Sequence, residues 1–135
     1  MKPTLQAGVT HTATLEVDRS RTIDFMGEKA RVYATPMLVR DIENACRELL
    51  LQHLDAGEDS VGTRVEVDHL AATLLGMPVT LTVKVVEVKG RAVTLEIEGR
   101  DSVEPICRGR HGRFVVDVKT TEQRLAAKAA KAGMA

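Results

Sequence analysis

TPMLVRDIENACRELLLQHL, residues 35–54, is the stretch whose reading decides the fold. It is a long segment with helical periodicity, and strand after strand follows it. Pro36 at the first helical position costs nothing, because that N–H would have no intrahelical partner, and Thr35 before it is a good N-cap. Asp55-Ala56-Gly57 marks the expected end, with glycine supplying a left-handed turn. At about 100° per residue, Leu38, Val39, Ile42, Ala45, Cys46, Leu49, Leu50, His53 and Leu54 share one apolar arc. Arg40, Asp41, Asn44, Arg47, Glu48, Gln52 and Asp55 take the other. Glu43 breaks the pattern: it falls in the row Val39, Glu43, Cys46, Leu50, inside the apolar arc near its edge. A carboxylate there is either desolvated at a cost or reaches sideways to water.

After a loop at 57–60, Val61, Thr63, Val65, Val67, His69 and Ala71 alternate with Arg64, Glu66 and Asp68. A one-residue slip would bury three charges, so the valine face must turn inward and carry His69 with it. A lone inward histidine is read first as a satisfied core residue; with a partner it becomes a candidate catalyst. Val79, Leu81, Val83 and Val85 define the next inner face. A hairpin at Lys89-Gly90-Arg91 leads to Val93, Leu95 and Ile97. The last strand, Glu104 to Val118, is expected to turn Phe114, Val116 and Val118 inward, with Gly109 and Gly112 bending it or admitting a ligand.

Ahead of the helix, residues 1–8 form a loose lead-in and Val9 to Val17 reads as the first strand. Asp18 to Lys29 is polar apart from Ile23, Phe25 and Met26, and reads as a short helix or a flap. The tail, about 120–132 and running on to Ala135, is Ala- and Lys-rich and helix-prone, with Thr120 and Gln123 spaced as a capping box. Leu125 is its only large apolar residue apart from Met134, which makes it peripheral.

One strand, a long helix and an antiparallel meander of four strands predict an α+β domain, the sheet wrapped round one long central helix. Residues 1–135 are expected to form a single domain with its core at about 8–118. The sheet edges call for a second copy, in a dimer or a dimer of dimers.

Composition narrows the function. Nineteen Lys and Arg balance nineteen Asp and Glu, which argues against a nucleic-acid or membrane surface. Aromatic platforms for bases are nearly absent: Phe25, Tyr33 and Phe114 are the whole set, without tryptophan. Cys46 and Cys107 have no CxxC spacing. With no signal peptide and no apolar run of membrane-spanning length, a cytoplasmic location is expected. His11, His53, His69 and His111 lack a compact metal-ligand spacing, so no metal is expected.

Several segments carry a family likeness: Tyr33-Ala34-Thr35, Glu43-Asn44-Ala45-Cys46, Gly57 to Thr63, His69 to Thr73 with Gly76, and Ile106 to His111 with Arg113. Together, over roughly residues 8–118, they resemble the fluoroacetyl-CoA thioesterase and its relatives, which have the hotdog fold. Specificity lies in the joint spacing of Thr35, Glu43 and His69. The resemblance implies that these three match the family's catalytic threonine, glutamate and histidine, and that Gly62 and Arg113 match the glycine and arginine of the acyl pocket. In the fluoroacetyl-specific enzyme, phenylalanines ahead of the helix form a lid over the acyl group. Here that segment is shorter, and Phe25 and Met26 are its bulky residues, which nominates Phe25 for the substrate side.

The activity so implied is hydrolysis of a small or short-chain acyl-CoA to free acid and CoA, with no cofactor beyond the CoA of the substrate. Glu43 would act as nucleophile, or as the base that activates water or Thr35. Thr35 would be a nucleophile or a hydrogen-bonding partner, beside the N–H groups of a helix N-terminus that favour a developing oxyanion. His69 would polarise the carbonyl or handle the proton of the leaving thiol. Two other readings fit the same residues: a hotdog dehydratase, and a non-catalytic acyl-CoA-binding module in which Glu43, His69 and Arg113 form only a polar network.

Overall fold

Alternation decides the middle of the sheet. In the computed structural model, which describes residues 1–134, Val79, Leu81, Val83 and Val85 are fully buried along β3 (Pro78–Lys89). Val93, Leu95 and Ile97 do the same along β4 (Ala92–Arg100), joined to β3 by a turn in which Gly90 has φ +62°. Cross-strand partners share a face, so these two strands define the inner side for every neighbour.

Five antiparallel strands form one sheet in the order β1-β3-β4-β5-β2, with β1 Thr10–Glu16, β2 Glu58–His69 and β5 Pro105–Asp117. The meander therefore has three strands, not four. β2 does not pair with β3; residues 70–77 carry the chain across, and β2 pairs with β5 at the far edge. Helix α1 (Thr35–Leu51) packs on the sheet against β2, β1 and β3. It buries Leu38, Ile42, Ala45, Cys46, Leu49 and Leu50, and each large aliphatic side chain so removed from water contributes about 1.5–3 kcal/mol.

The helix stops before the expected Asp55-Ala56-Gly57. Gln52 N–H bonds to Leu49 O and His53 N–H to Leu50 O, which tightens the last turn. The N-terminal segment then takes over: Lys2 N–H donates to His53 O, and Thr4 Oγ1 lies 2.8 Å from His53 Nδ1. Gly57, at φ +83°, serves the turn into β2 instead, and β2 starts at once with Glu58.

Two inner faces differ from the sequence pattern. A bulge between Gly62 and Arg64 inserts an extra residue, so parity flips within β2. Ser60, Gly62, Val65, Val67 and His69 share the inner side, while Val61 pairs outward with Phe114. On β5 the inner residues are Cys107, His111, Arg113 and Val115, because Arg113 pairs with Val93 and His111 with Leu95. Phe114 is 40% exposed, and Val116 and Val118 are not inside. Gly109 serves its neighbour strand: a Cβ there would lie 2.0 Å from Glu66 O.

Residues 18–34 cross the end of α1 as two 3₁₀ turns, Arg19–Arg21 and Glu28–Ala30, stitched by bridges Thr22–Tyr33 and Val32–Leu74. Helix α2 (Val118–Lys131) has no buried residue. Its N-cap is Asp117, which accepts from Thr120 N–H at 2.9 Å, so the helix begins two residues before the expected Thr120–Gln123 box. Ala135 lies outside the described residues. No helix among the described residues is long and apolar enough to cross a membrane.

Candidate active site

Thr35 turns out not to cap α1. Ala34 is the N-cap, Thr35 has helical backbone at the first position, and Pro36 follows it. The hydroxyl is thereby free for another partner, and it lies 2.8 Å from His69 Nδ1. β2 presents His69 at its C-terminal end, where it pairs with Cys107. The imidazole is part buried, with the Tyr33 ring edge-on at 6.3 Å and 83°. Burial holds its pKa below the ordinary 6.5, which favours the neutral ring. Its Nε2 is buried and without a hydrogen-bond partner among the described residues. A pocket of about 380 Å³ opens over Thr35 and His69, walled by Ile23, Val32 and Leu70, with Phe25 at the rim and 78% exposed.

Glu43 lies two helical turns on, about 12 Å along the axis at about 1.5 Å per residue. Its Oε1 sits 2.8 Å from where a Cβ on residue 62 would be, so only glycine at 62 leaves the carboxylate that place. Arg113, on the neighbouring strand opposite Gly62, is 5% exposed. Its Nε donates to Ser60 Oγ at 2.7 Å, Nη2 to Ser60 O at 2.7 Å, and Nη1 to His111 Nε2 at 3.0 Å. All three partners are uncharged, and burial pulls the guanidinium pKa down from its usual value. Cys46, beneath this group, has its thiol pushed up to about 12 by burial, which keeps it protonated and inert.

The six residues singled out in the sequence thus form two clusters. Thr35, His69 and Phe25 line one pocket; Glu43, Gly62 and Arg113 share a niche at the other end of β2. His69 and Gly62 are seven residues apart, one of them the extra residue of the bulge, which leaves about 20 Å of strand at about 3.3 Å per residue.

Some site residues escaped the sequence reading. Asp41 belongs to the polar arc by periodicity, yet it is 5% exposed. It accepts from the Tyr33 hydroxyl and from Arg21, at 2.9 Å (Nε) and 3.3 Å (Nη2). Arg21 also holds Asp18 at 2.6 Å, so one buried carboxylate ties the flap, the pocket wall and the helix together. Burial and Asp41 together raise the Tyr33 pKa far above its ordinary value. Ser60 and His111 were missed as well. No period marks them, but a buried arginine needs acceptors, and that requirement could have prompted the search.

Residues 17–119 match the model of the fluoroacetyl-CoA-specific thioesterase family. The chain is 31% identical, over 88% of its length and 91% of the relative's, to the fluoroacetyl-CoA thioesterase of Streptantibioticus cattleyicolor. A solved structure of a variant of the fluoroacetyl-CoA-specific thioesterase, in complex with fluoroacetate and CoA, superposes with a TM-score of 0.80 at 30% identity, covering 87% of this chain and 99% of that one. A thioesterase superfamily member from Thermus thermophilus gives a TM-score of 0.88 at 26% identity, with 97% of each chain covered. The chain has the hotdog fold of these thioesterases, belongs to the fluoroacetyl-CoA-specific thioesterase family and is a thioester hydrolase.

Proposed function

We propose that the protein hydrolyses a small or short-chain acyl-CoA, using Thr35, Glu43 and His69, in a homodimer whose two-fold brings these groups together. The observation that carries this reading is the Thr35–His69 pair at 2.8 Å, with His69 Nε2 left free for a substrate. With Thr35 donating to Nδ1, Nε2 carries the proton and donates to the thioester carbonyl oxygen. The Glu43 carboxylate takes a proton from the attacking water, or attacks the carbonyl carbon itself. The C–S bond breaks, the thiolate is protonated to free CoA, and the acid gains its oxygen from water directly, or from Glu43 where water opens the mixed anhydride at the Glu43 carbon and replaces that oxygen. In a single turnover in H₂¹⁸O, ¹⁸O in Glu43 shows direct attack by the carboxylate, and ¹⁸O in the acid shows water reaching the acyl carbon. Gly62 and Arg113 shape the acyl end, and Phe25 covers the pocket rim.

What supports the dimer is β2, an edge strand with one side unpaired. A second β2 running antiparallel about a two-fold near Val65 and Glu66 sets His69 opposite Gly62 of the partner subunit. Thr35 and His69 of one protomer then face the partner's Glu43, and the 20 Å between clusters becomes a shared site.

Thiol release from a panel of short, branched, aryl and fluorinated acyl-CoAs tests the activity. Turnover that collapses in folded Glu43→Ala, by the factor of about 10²–10⁴ typical of general acid–base groups, supports the reading. Equal turnover in both proteins, or saturable binding with no turnover, contradicts it. A change at the acyl double bond without thiol release marks the dehydratase instead.

A further inference from the structure

We propose that His111 is a positioning residue for Arg113, holding the guanidinium in the one pose that aims its remaining N–H groups into the acyl niche. The inference rests on the reading of Arg113 as an acyl-pocket residue, and names the group that makes Arg113 able to fill that role.

The bulge in β2 sets the arrangement up. It places Arg64 O 2.7 Å from His111 Nδ1. A carbonyl only accepts, so Nδ1 carries the ring proton. Arginine only donates, so Nε2 must present its lone pair to Arg113 Nη1, 3.0 Å away. Both ring nitrogens are thus assigned by their partners, and the imidazole is neutral. Protonation would take away the acceptor and set two cations against each other in a buried place. Burial is the largest influence on the His111 pKa and lowers it; the bond to Arg64 O opposes burial, Arg113 adds to it, Glu43 opposes it least, and the net direction is down.

Ser60 alone would not fix Arg113. Its hydroxyl and carbonyl engage Nε and Nη2, along one edge of the guanidinium. His111 takes Nη1 from the opposite side, which closes the rotation about the last side-chain bond. The second N–H groups of Nη1 and Nη2 are then set in direction. His111 Cε1 would lie 3.2 Å from a Cβ on residue 62, and Glu43 Oε1 2.8 Å from it, so the ring, the carboxylate and the guanidinium border one niche. Because a buried cation with uncharged partners is costly, each of its bonds counts for more than at the surface. A guanidinium that lost one would turn toward Glu43 or water.

His111→Asn and His111→Gln decide the matter as a pair. Asparagine keeps a donor where Nδ1 stood but offers nothing at Nε2, whereas the glutamine carbonyl reaches the Nε2 position. The direct readout is the Arg113 Nε–Hε NMR signal of the substrate-free protein, which needs no turnover and stands apart from the thioesterase reading. We expect this signal to be sharp and slow to exchange in the wild type and in His111→Gln. In His111→Asn, exchange should be at least about tenfold faster. On the acyl-CoA best hydrolysed by the wild type, KM should rise about tenfold in the asparagine variant with kcat within about threefold. Glutamine should restore KM. An unchanged Arg113 signal in His111→Asn, or equal loss in both variants, overturns the proposal, including where the protein shows no thioesterase activity at all.

Discussion

Asp41→Ala removes the single acceptor shared by Tyr33 and Arg21. Removing one partner of a buried ion pair costs about 3–5 kcal/mol, because a charge is left uncompensated. Here Arg21 keeps Asp18 and 21% side-chain exposure, which reduces that part to about 2 kcal/mol on the same scale. Tyr33 has no such relief: it is 2% exposed, and a stranded buried hydroxyl costs about 1–3 kcal/mol. The sum is about 3–5 kcal/mol. With an unfolding entropy of about 2.1 cal/mol/K per residue near 60 °C, a chain of 135 residues should lose about 11–18 °C in Tm. The assay is urea and thermal unfolding at fixed protein concentration, since the proposed dimer would make Tm depend on it. The control is the apolar set Asp41→Leu, Arg21→Met and Tyr33→Phe, which should lie within about 1 kcal/mol of wild type because no polar group is left stranded. A cost below about 1 kcal/mol for Asp41→Ala, or a triple variant no better than the single one, refutes the reasoning.

Three further outcomes are expected. Gly62→Ala meets the end of Glu43 at 2.8 Å and the buried His111 ring at 3.2 Å, so it should cut activity by about tenfold or more and cost about 1 kcal/mol, whereas Gly109→Ala collides with the Glu66 carbonyl and should cost about 3 kcal/mol, the upper end for overpacking. Thr35→Val should lose activity by about 10²-fold while leaving stability within about 0.5 kcal/mol, because the hydroxyl serves His69 and not a cap worth about 1 kcal/mol; Thr35→Ser should keep both. His69 and His111 have folded-state pKa values below the ordinary 6.5, so the unfolded chain binds more protons; chemical unfolding should show stability falling as pH drops below about 6.5, with a flatter profile once both are replaced by Gln.

Where one periodicity runs unbroken, the sequence reads directly. β3 and β4 each bury the alternating residues that their pattern named, and α1 buries most of its apolar arc, with Asp41 of the polar arc buried as well. Reading failed where a local device overrides the period. The single extra residue at the 62–64 bulge reverses which side Val61 faces, and nothing in a run of valines signals it. β5 misled because its inner face holds the polar residues His111 and Arg113 while its outer face holds Phe114. Only the acceptors supplied by Ser60 and Arg64 make that inversion stable. The place of β2 at the far edge is a matter of topology, which alternation does not encode. For the site, Thr35, Glu43 and His69 were legible as residues, but their separation into two clusters was not, since it depends on which end of β2 each helix turn crosses.

The shared site is tested most directly by mixing. Glu43→Ala and His69→Ala homodimers, each inactive alone, should on subunit exchange form mixed dimers that contain one intact site, made of His69 from one protomer and Glu43 of the partner subunit. Random exchange should restore about a quarter of wild-type thiol release, as half of the dimers carry one good site in two. No recovery after verified exchange would place Glu43 and His69 of a single protomer in the same site, and would contradict the account.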